Sequence, residues 1–409
     1  MKSDRYFSNV FLKIYIFLLK HPILRNMKIL AYYIDFMILL FIRKPKKLQT
    51  AKKQIVIVYN LNLGDCIVWL CSIRRIREIY PENEYEMTLI CQKGIHYIFE
   101  KEEIFNHVIP LNFTEATFRM KKRREIMKIL RSKYYDILLD PIGVAECTTN
   151  VLMSRAIVAE KKITICDMTI KRHAAPKWLI NSIYSEYIKV TKPELSLMEF
   201  YSEFIKGLGM TDFKFAFQKP ISTPSSLELP NRYFIIFPSA SQYLKCWPID
   251  RYGEIARRIH EKTGLMLLLC GTDKDREIVD KFRSILGDLP YIDIVGKTSV
   301  LEFVSIIQNA SLIVTNDTST YHIAAVSEVS VAIITGGYTY KRYVSYEFED
   351  KEAFKRPCII VHEMPCFNCE NRCPYVTNKS KYWPCLEKIS TSYAWEKIEA
   401  LINANHIGR

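Results

Sequence analysis

The chain has 409 residues, of which 49% are hydrophobic and 25% are charged. This composition is typical of a folded protein, excludes a mainly disordered chain, and allows two or three domains of roughly 150 residues each. The net charge is +14, and residues 1–50 hold ten basic residues against two acidic ones. Because the positive charge is concentrated in this terminal segment, the sequence argues against a protein that binds nucleic acid over its whole surface.

Two apolar runs occupy the N-terminal segment, at residues 7–19 and 29–42. The second run has 14 residues, and as a helix it would be about 21 Å long against a hydrocarbon core of about 30 Å. Basic residues flank the runs: Lys20, Arg25, Lys28, Arg43, Lys44, Lys46 and Lys47. We expect residues 1–50 to form amphipathic or hydrophobic helices that lie on an anionic membrane surface. A helical pair packed on the protein itself is the alternative.

After residue 50, short apolar runs alternate with segments of helical period. The β-branched run at 54–59 predicts a buried parallel strand, and the runs at 87–91 and 136–140 predict further strands. The basic run Lys121-Lys122-Arg123-Arg124 lies on a predicted helix. It forms either a solvated face, the usual role of such a run, or a binding surface for an anionic substrate.

The alternation stops at the Pro- and Ser-rich stretch 214–231 and then restarts. Strands are predicted at 233–238, 265–270, 311–316 and 330–335, and helices at 248–263, 274–286 and 299–310. The last helix has Trp395, Ile398 and Ile402 on one face, so we expect it to pack against a domain.

Two sets of βα units predict an α/β protein with two parallel-sheet domains. We place the first domain at 51–215, a linker at 216–231, the second domain at 232–390 and a C-terminal helix at 391–409. Ligands of such sheets bind outside the carboxyl ends of the strands, so we expect the site in a cleft between the domains.

The first informative loop follows the strand at 54–59 and contains Asn62, Gly64 and Asp65. Gly64 is expected to allow a tight backbone turn. Asp65 lies at or near a helix N-terminus, where an acidic residue acts as a cap. The functional interpretation is a carboxylate held over the cleft as a general base.

Two further loops follow strands of the second domain. Ser239 lies among small residues that leave room for a ligand. Lys245 precedes Trp-Pro at a predicted helix start, where its cation could lie beside a phosphate. A plain surface lysine is the alternative. Asp273 and Asp275 match a loose DxD pattern associated with metal-bound sugar nucleotides. Acidic residues also favour helix N-termini for electrostatic reasons, so the metal interpretation is weak.

The fourth loop contains Asp317, Thr318, Ser319 and His322 after the strand at 311–316. Free N–H groups at the start of a helix form a binding site for a diphosphate. The alternative is a capped helix with a histidine in the core.

The chain contains 12 cysteines, and four of them cluster as Cys366, Cys369, Cys373 and Cys385. Four thiolates complete the tetrahedral shell of zinc, whereas free thiols or a local disulfide are the alternatives. The other cysteines are scattered, many in apolar runs, as buried free thiols are. No small-residue cleavage site follows the first apolar run, so a secretory signal is not expected. Scattered thiols in a protein without such a signal favour a reducing, cytoplasmic setting.

Several of these segments occur in a shared order over about residues 54–390: NLGD, FPSAS, KCWP, GKTSVLEFVSIIQNASLIVTNDTSTYHIAA and the cysteine segment ending in PCLEKI. Together they resemble glycosyltransferase family 9, the heptosyltransferase-like enzymes of bacterial lipopolysaccharide assembly. The resemblance implies the GT-B architecture, two Rossmann-like domains facing across a cleft, with the acceptor half first and the nucleotide half second. It also implies an inverting transfer that needs no divalent metal and no cofactor besides the nucleotide-sugar co-substrate.

The resemblance assigns a role to each site residue. Asp65 would be the general base on the acceptor hydroxyl, with Asn62 and Gly64 beside it, and Lys245 would hold the donor diphosphate. The remaining donor-binding candidates are Ser239, Asp275, Asp317, Thr318, Ser319 and His322. Ser319 departs from the family pattern, which has glycine at this position. If the glycine is needed for close approach of the backbone to phosphate, donor binding in this chain is altered or lost.

The hypothesis is a glycosyltransferase on the cytoplasmic face of the membrane. It would move a sugar from a nucleotide donor, with ADP-heptose as a candidate, to a lipid-linked saccharide such as lipopolysaccharide core. Its partners would be the donor, the acceptor and an anionic membrane surface, without nucleic acid. The alternative is a non-catalytic nucleotide-binding scaffold of the same fold at the membrane, which the serine at position 319 motivates.

Overall fold

A computed structural model describes residues 28–142, 148–166, 176–190, 192, 195–350, 352, 354–377 and 379–408. Two compact units make up this chain, and the boundary between them lies between Phe215 and Ala216. The apolar run predicted at 7–19 lies outside the described residues. The finer division into a membrane segment, a linker and a separate C-terminal helix stays a prediction.

The first unit contains a parallel sheet with the strand order β3-β2-β1-β4-β5-β6. Its strands are β1 (Lys53–Tyr59), β2 (Tyr85–Gln92), β3 (His107–Leu111), β4 (Tyr134–Asp140), β5 (Val158–Cys166) and β6 (Glu186–Lys189). The helices described in this unit are α1 (Lys28–Leu40), α2 (Leu63–Ile79), α3 (His96–Lys101), α4 (Phe113–Phe118), α5 (Met120–Leu130), α6 (Thr148–Ala156), α7 (Lys177–Ile183) and α8 (Leu197–Gly207).

The second unit repeats this plan with the strand order β12-β11-β10-β7-β8-β9, and its paired strands are also parallel. The strands are β7 (Tyr233–Phe237), β8 (Met266–Leu269), β9 (Tyr291–Asp293), β10 (Leu312–Thr315), β11 (Val331–Thr335) and β12 (Cys358–Val361). The α-helices described here are α9 (Ile249–Thr263), α10 (Arg276–Leu286), α11 (Val300–Gln308), α12 (Ser319–Val326), α13 (Pro384–Glu387) and α14 (Thr391–Ala404).

Both sheets have the doubly wound order in which the chain reverses direction across the sheet beside its first strand. The reversal lies between β1 and β4 in the first unit and between β7 and β10 in the second. The connections that follow these two neighbouring strands run along opposite faces of the sheet. A crevice therefore opens outside the carboxyl ends of the strands, where ligands of this fold class bind. The seven predicted strands are confirmed, and the loops that follow β1, β7 and β10 lie at these crevices.

The core of the second unit extends from the sheet to the end of the chain. Trp247 and Trp383 are buried in it together with Ile398 and Ile402 of α14. Burying such side chains is worth roughly 1.5–3 kcal/mol each relative to exposure. Trp395 packs against the same cluster, so the prediction that the last helix lies on a domain is confirmed.

Helix α1 is fastened to the first unit by a buried ion pair. The Arg123 guanidinium on α5 donates from Nε to Asp35 Oδ1 at 2.5 Å and from its second nitrogen to Oδ2 at 2.9 Å. Tyr32 and Leu39 are buried on the same face of α1. Arg123 is therefore not part of the solvated face predicted for the basic run, because it neutralises a carboxylate beneath that face. Among the described residues, no helix has the length and hydrophobicity that crossing a membrane requires.

Replacing Asp35 with alanine leaves the Arg123 charge buried without a partner. We expect the free energy of unfolding of the first unit to fall by about 3–5 kcal/mol, measured by urea denaturation. The exposed pair of Lys122 and Glu125 on the same helix is the control, since losing an exposed ion pair changes stability little. Equal losses for both pairs would contradict the anchoring role of Asp35.

An imidazole lies among buried aromatic rings at the end of the second sheet. His322 is 5% exposed, and its Nδ1 lies 2.7 Å from the hydroxyl of Tyr346, which stacks on Tyr321. Burial lowers the pKa of His322 to about 4, because the charged ring loses its hydration, and the nearby Lys245 charge adds to the effect while Asp317 opposes it. The ring is therefore neutral near pH 7.

This shift in pKa makes the stability of the second unit depend on pH. The unfolded chain binds a proton at this histidine near pH 6.5 and the folded chain only near pH 4, so stability is full above the unfolded pKa and is lost as pH falls through that window. We expect a loss of about 2–3 kcal/mol between pH 7 and pH 4.5 that is absent in His322→Gln. Urea denaturation measures it, with exposed His406→Gln as the control. A His322→Gln protein with the full pH dependence would overturn the assignment.

Candidate functional site

The loop after β1 leads directly into α2. Asn62 is the N-cap of this helix, and its N–H donates to Asp65 Oδ2 at 3.3 Å. Asp65 is thus the third residue of the helix and not its N-cap, and its carboxylate completes a capping box with Asn62. The expectation for Gly64 is wrong: it is the second helical residue, and its φ is not positive, since the helix needs no left-handed backbone there.

Aromatic and amide groups fix the backbone around Asp65. The Tyr59 hydroxyl donates to the carbonyl of Asp65 at 3.0 Å, and the Tyr59 ring stacks on Trp69 of α2 at a centroid distance of 3.8 Å. The N–H of Asn60 donates to Oδ1 of buried Asn150 at 2.9 Å, and the Asn150 amide donates to the carbonyl of Val58 at 3.0 Å. These contacts set the direction in which the loop leaves the strand.

Asp140 at the end of β4 completes this arrangement in the first unit. Its carboxylate accepts hydrogen bonds from Asn150 and Ser154, each at 3.0 Å, and from Tyr184 at 2.5 Å. Burial raises the pKa of Asp140, while these donors act in the opposite direction. The residue is enclosed by protein groups, which gives it a structural role behind the loop.

Lys245 lies at the corresponding edge of the second sheet, at the end of a short helical turn. Its Nζ is 3.3 Å from Asp317 Oδ2 and 5.1 Å from the centre of the Tyr338 ring. The side chain of Lys245 is 19% exposed and that of Asp317 is 8% exposed. The interpretation as a plain surface lysine is therefore wrong, because the ammonium is held among partners at the carboxyl end of the strands.

Asn316 ties the loop after β7 to the end of β10. Its amide nitrogen donates to the carbonyls of Pro238 at 2.7 Å and Ser239 at 3.3 Å. Its Oδ1 accepts from the Trp247 N–H at 3.0 Å and from the Tyr252 hydroxyl at 2.9 Å. The amide is fully buried, so these bonds also meet the requirement that buried polar groups be paired.

Ser239 and Asp275 join the loops after β7 and β8. The Ser239 hydroxyl donates to Asp275 Oδ1 at 2.5 Å, and Asp275 Oδ2 accepts from the Thr272 N–H at 2.8 Å. Gly271 allows this loop, because its φ of +146° is a conformation that residues with side chains rarely adopt. Asp273 has a side-chain exposure of 88% and lies 3.8 Å from Arg276. The two acids of the DxD pattern thus have different partners and do not form a pair of metal ligands.

Helix α12 begins at Ser319, directly after its N-cap Thr318. The Thr318 hydroxyl lies 3.2 Å from that of Thr315 and does not cap the helix. Ser319 is half-buried and its φ is not positive, so the backbone at this position does not require glycine. The first N–H groups of the helix follow Asp317 in the chain and lie at the same edge as Lys245.

The cysteine cluster lies against the core of the second unit. Cys373 and Cys385 are buried, and Cys366 and Cys369 pack on the same cluster. Burial raises the pKa of Cys373 and brings that of Cys385 to about 11, which favours the protonated thiol. Among the described residues, no three His, Cys, Asp or Glu side chains are placed to hold a metal ion. The four thiols do lie near one another, since Cys366 forms hydrogen bonds with Cys369 and Cys373, and all three raise the pKa of Cys385. No ligand geometry for zinc is found among them, so the free-thiol alternative fits this structure.

Within the second unit, the structure pairs Ser239 with Asp275. It also brings together Lys245, Asp317 and His322. Asn62, Gly64 and Asp65 lie at the carboxyl end of the first sheet. Asn316 and Asn150 were not among the predicted residues. A polar residue directly after the buried β10 was the available signal for Asn316, whereas nothing in the local sequence marks Asn150, whose role depends on strands distant in the chain.

Comparison with known proteins identifies this arrangement. Residues 123–335, more than half of the chain, match the family model of glycosyltransferase family 9 (heptosyltransferase). Lipopolysaccharide heptosyltransferase 3 of Escherichia coli K12 is 24% identical over 284 residues, which cover 67% of this chain and 79% of that protein.

Two solved structures share the fold. A glycosyl transferase family 9 protein from Veillonella parvula aligns with a TM-score of 0.66 and 15% identity, over 88% of this chain and 100% of its own. The E. coli ADP-heptose lipopolysaccharide heptosyltransferase II aligns with a TM-score of 0.59 and 18% identity, over 87% of this chain and 99% of its own. The predicted GT-B fold class is confirmed by these matches, and the chain belongs to glycosyltransferase family 9, the heptosyltransferase family.

Proposed function

We propose that this glycosyltransferase is an inverting, metal-independent enzyme that transfers a heptose from ADP-heptose to a lipid-linked saccharide such as lipopolysaccharide core. It works on the cytoplasmic face of the membrane. The observation that carries the proposal is the ion pair of Lys245 with Asp317, which lies where the strand order of the second sheet reverses between β7 and β10. The names of the relatives, which include heptosyltransferases acting on lipopolysaccharide, support the choice of donor and acceptor.

On the donor side, the second unit offers positive charge where a diphosphate would lie. Lys245 supplies an ammonium, and the free N–H groups at the start of α12 supply oriented dipoles. Asp317 holds the lysine in place, so a diphosphate must compete with this carboxylate for the ammonium. Ser319 opens the helix with a φ that is not positive, so a serine there causes no backbone strain.

On the acceptor side, Asp65 acts as the general base. The acceptor hydroxyl gives its proton to the Asp65 carboxylate while its oxygen forms a bond to the anomeric carbon of the sugar. The bond between that carbon and the diphosphate oxygen breaks on the opposite face, and its electron pair leaves with the nucleotide. The anomeric configuration inverts, and Lys245 with the N–H groups of α12 stabilises the negative charge that develops.

Asp65→Asn keeps the size of the side chain but removes the base. We expect kcat for transfer from ADP-heptose to lipid A–core acceptors to fall by about 100- to 10,000-fold, with nucleotide affinity nearly unchanged. Glu199→Gln is a matched control in the same unit. Glu199 is also the third residue of its helix, and its carboxylate accepts the N–H of the N-cap Ser196 at 2.9 Å. If both variants lose activity equally, Asp65 acts only as a cap.

Lys245→Gln removes the positive charge from the proposed diphosphate site. We expect the affinity for ADP, measured by calorimetry, to fall by about tenfold to 100-fold, because a hydrogen bond to a charged group contributes roughly 1.5–3 kcal/mol. The control is Lys262→Gln in the same unit, whose ammonium pairs with Glu399 at 2.9 Å. Unchanged ADP binding by Lys245→Gln would refute its role, and no turnover with any nucleotide sugar would refute the proposed reaction.

A further inference from the structure

Helix α1 and the turn after it present an apolar stripe to solvent. The stripe consists of Leu30, Tyr33, Phe36, Met37, Leu40 and Phe41, whose exposed fractions lie between 45% and 76%. These residues recur every three or four positions, so they lie along one face of the helix. The opposite face carries Tyr32, Asp35 and Leu39 and is buried in the unit. The helix therefore has two apolar faces, and the unit uses one of them.

A basic pocket lies at the end of this stripe. It has a volume of about 490 Å³ and is lined by Phe41, Ile42, Arg43, Lys44, Pro45, Lys46, Lys128, Arg131 and Ser132. Five of these residues are cationic and none is acidic. Phe41 belongs to both the apolar stripe and the basic pocket, so the two surfaces are continuous.

The positive charge of the basic pocket is not neutralised within the described part of the chain. None of its five cations makes an ion pair there, whereas the adjacent Lys47 pairs with Glu160 and lies 3.5 Å from Asp136. The buried Nε of Arg131 has no hydrogen-bond partner among the described residues. Within the described ranges, Arg131 Nε is therefore a donor without an acceptor, on a residue that lines the basic pocket.

The neighbouring Lys162 is also affected by the positive charge of the basic pocket. Its Nζ donates to the carbonyls of Ser154 and Ile157, each at 2.6 Å. The pKa of Lys162 falls to about 8, mainly through burial and also through repulsion by Arg131 and Lys44. An anion in the basic pocket would compensate this field. Together with the apolar stripe, the pocket suits a ligand that carries a phosphate next to hydrocarbon.

We infer that the basic pocket binds the phosphate of an anionic membrane lipid while the apolar stripe inserts into the same leaflet. The inference rests on the membrane location in the proposed function and supplies the surface that makes this contact. A lipid fits better than a nucleic acid, because the exposed residues beside the cations are aliphatic and aromatic along a whole helix face.

Vesicle sedimentation with the full-length protein tests the pocket. We expect binding to phosphatidylcholine vesicles that contain phosphatidylglycerol, weak binding to phosphatidylcholine alone, and release by salt. Lys44→Gln with Lys46→Gln should weaken binding about 25-fold, since each cation near such a surface contributes about fivefold. The matched control, Lys379→Gln with Lys381→Gln, removes two exposed charges from the second unit and should leave binding unchanged. Equal binding by both double variants overturns the inference.

The stripe is tested by Met37→Ser with Phe41→Ser, against exposed Tyr375→Ser as the control. Weaker vesicle binding by the first variant alone supports the inference. Light scattering that shows a dimer of the parent protein, lost in Met37→Ser with Phe41→Ser, overturns it in favour of a contact between two copies. Binding to duplex RNA that matches binding to anionic vesicles, and is equally lost with Lys44 and Lys46, overturns it in favour of nucleic acid.

Transfer to a delipidated, water-soluble acceptor separates this inference from the proposed function. The pocket variants should retain that activity in full, because they lie outside the proposed donor and acceptor residues. Vesicle binding without any sugar transfer would leave the lipid site standing and refute the reaction. Sugar transfer without vesicle binding would support the reaction and refute the lipid site.

Discussion

Two buried asparagine amides hold the site loops of this protein in place. In the second unit, Asn316 joins the backbone of Ser239 to that of Trp247, so the loop after β7 cannot shift without breaking bonds at the end of β10. In the first unit, Asn150 joins Asn60 to the strand before it. A buried amide left without partners costs roughly 1–3 kcal/mol, so each arrangement forms as a set. The positions of Lys245 and Asp65 depend on these amides.

The central strands were predictable because their sequences are continuous and apolar. β1 and β10 are buried on both faces, and runs of β-branched residues indicate that environment directly. Five of the described strands were missed. Four of them, β3, β6, β9 and β12, are edge strands of three to five residues that are mostly only partly buried. The fifth, β5, has charged residues in its first half. Short polar segments acquire strand structure from their neighbours in the sheet, and the local sequence does not contain that information.

The site was predictable as a set of loops but not as a set of contacts. Residues after parallel strands meet at one edge, which placed Lys245 and Asp317 at the same end of the sheet. Their ion pair spans 72 positions in the chain and the pair of Arg123 with Asp35 spans 88. Such partners are chosen by packing between distant elements, so the interpretation of Arg123 as a solvated cation was wrong for a reason that no local pattern reveals.

The pairing of Lys245 with Asp317 also bears on selectivity. A lysine that already has a carboxylate neighbour presents little net charge to solvent, so a small free anion gains little by approaching it. A ligand must bring further contacts before it competes with Asp317 for the ammonium. In the proposed role, a nucleotide diphosphate meets that requirement and orthophosphate does not, so the built-in carboxylate protects the empty enzyme from the abundant inorganic anions around it.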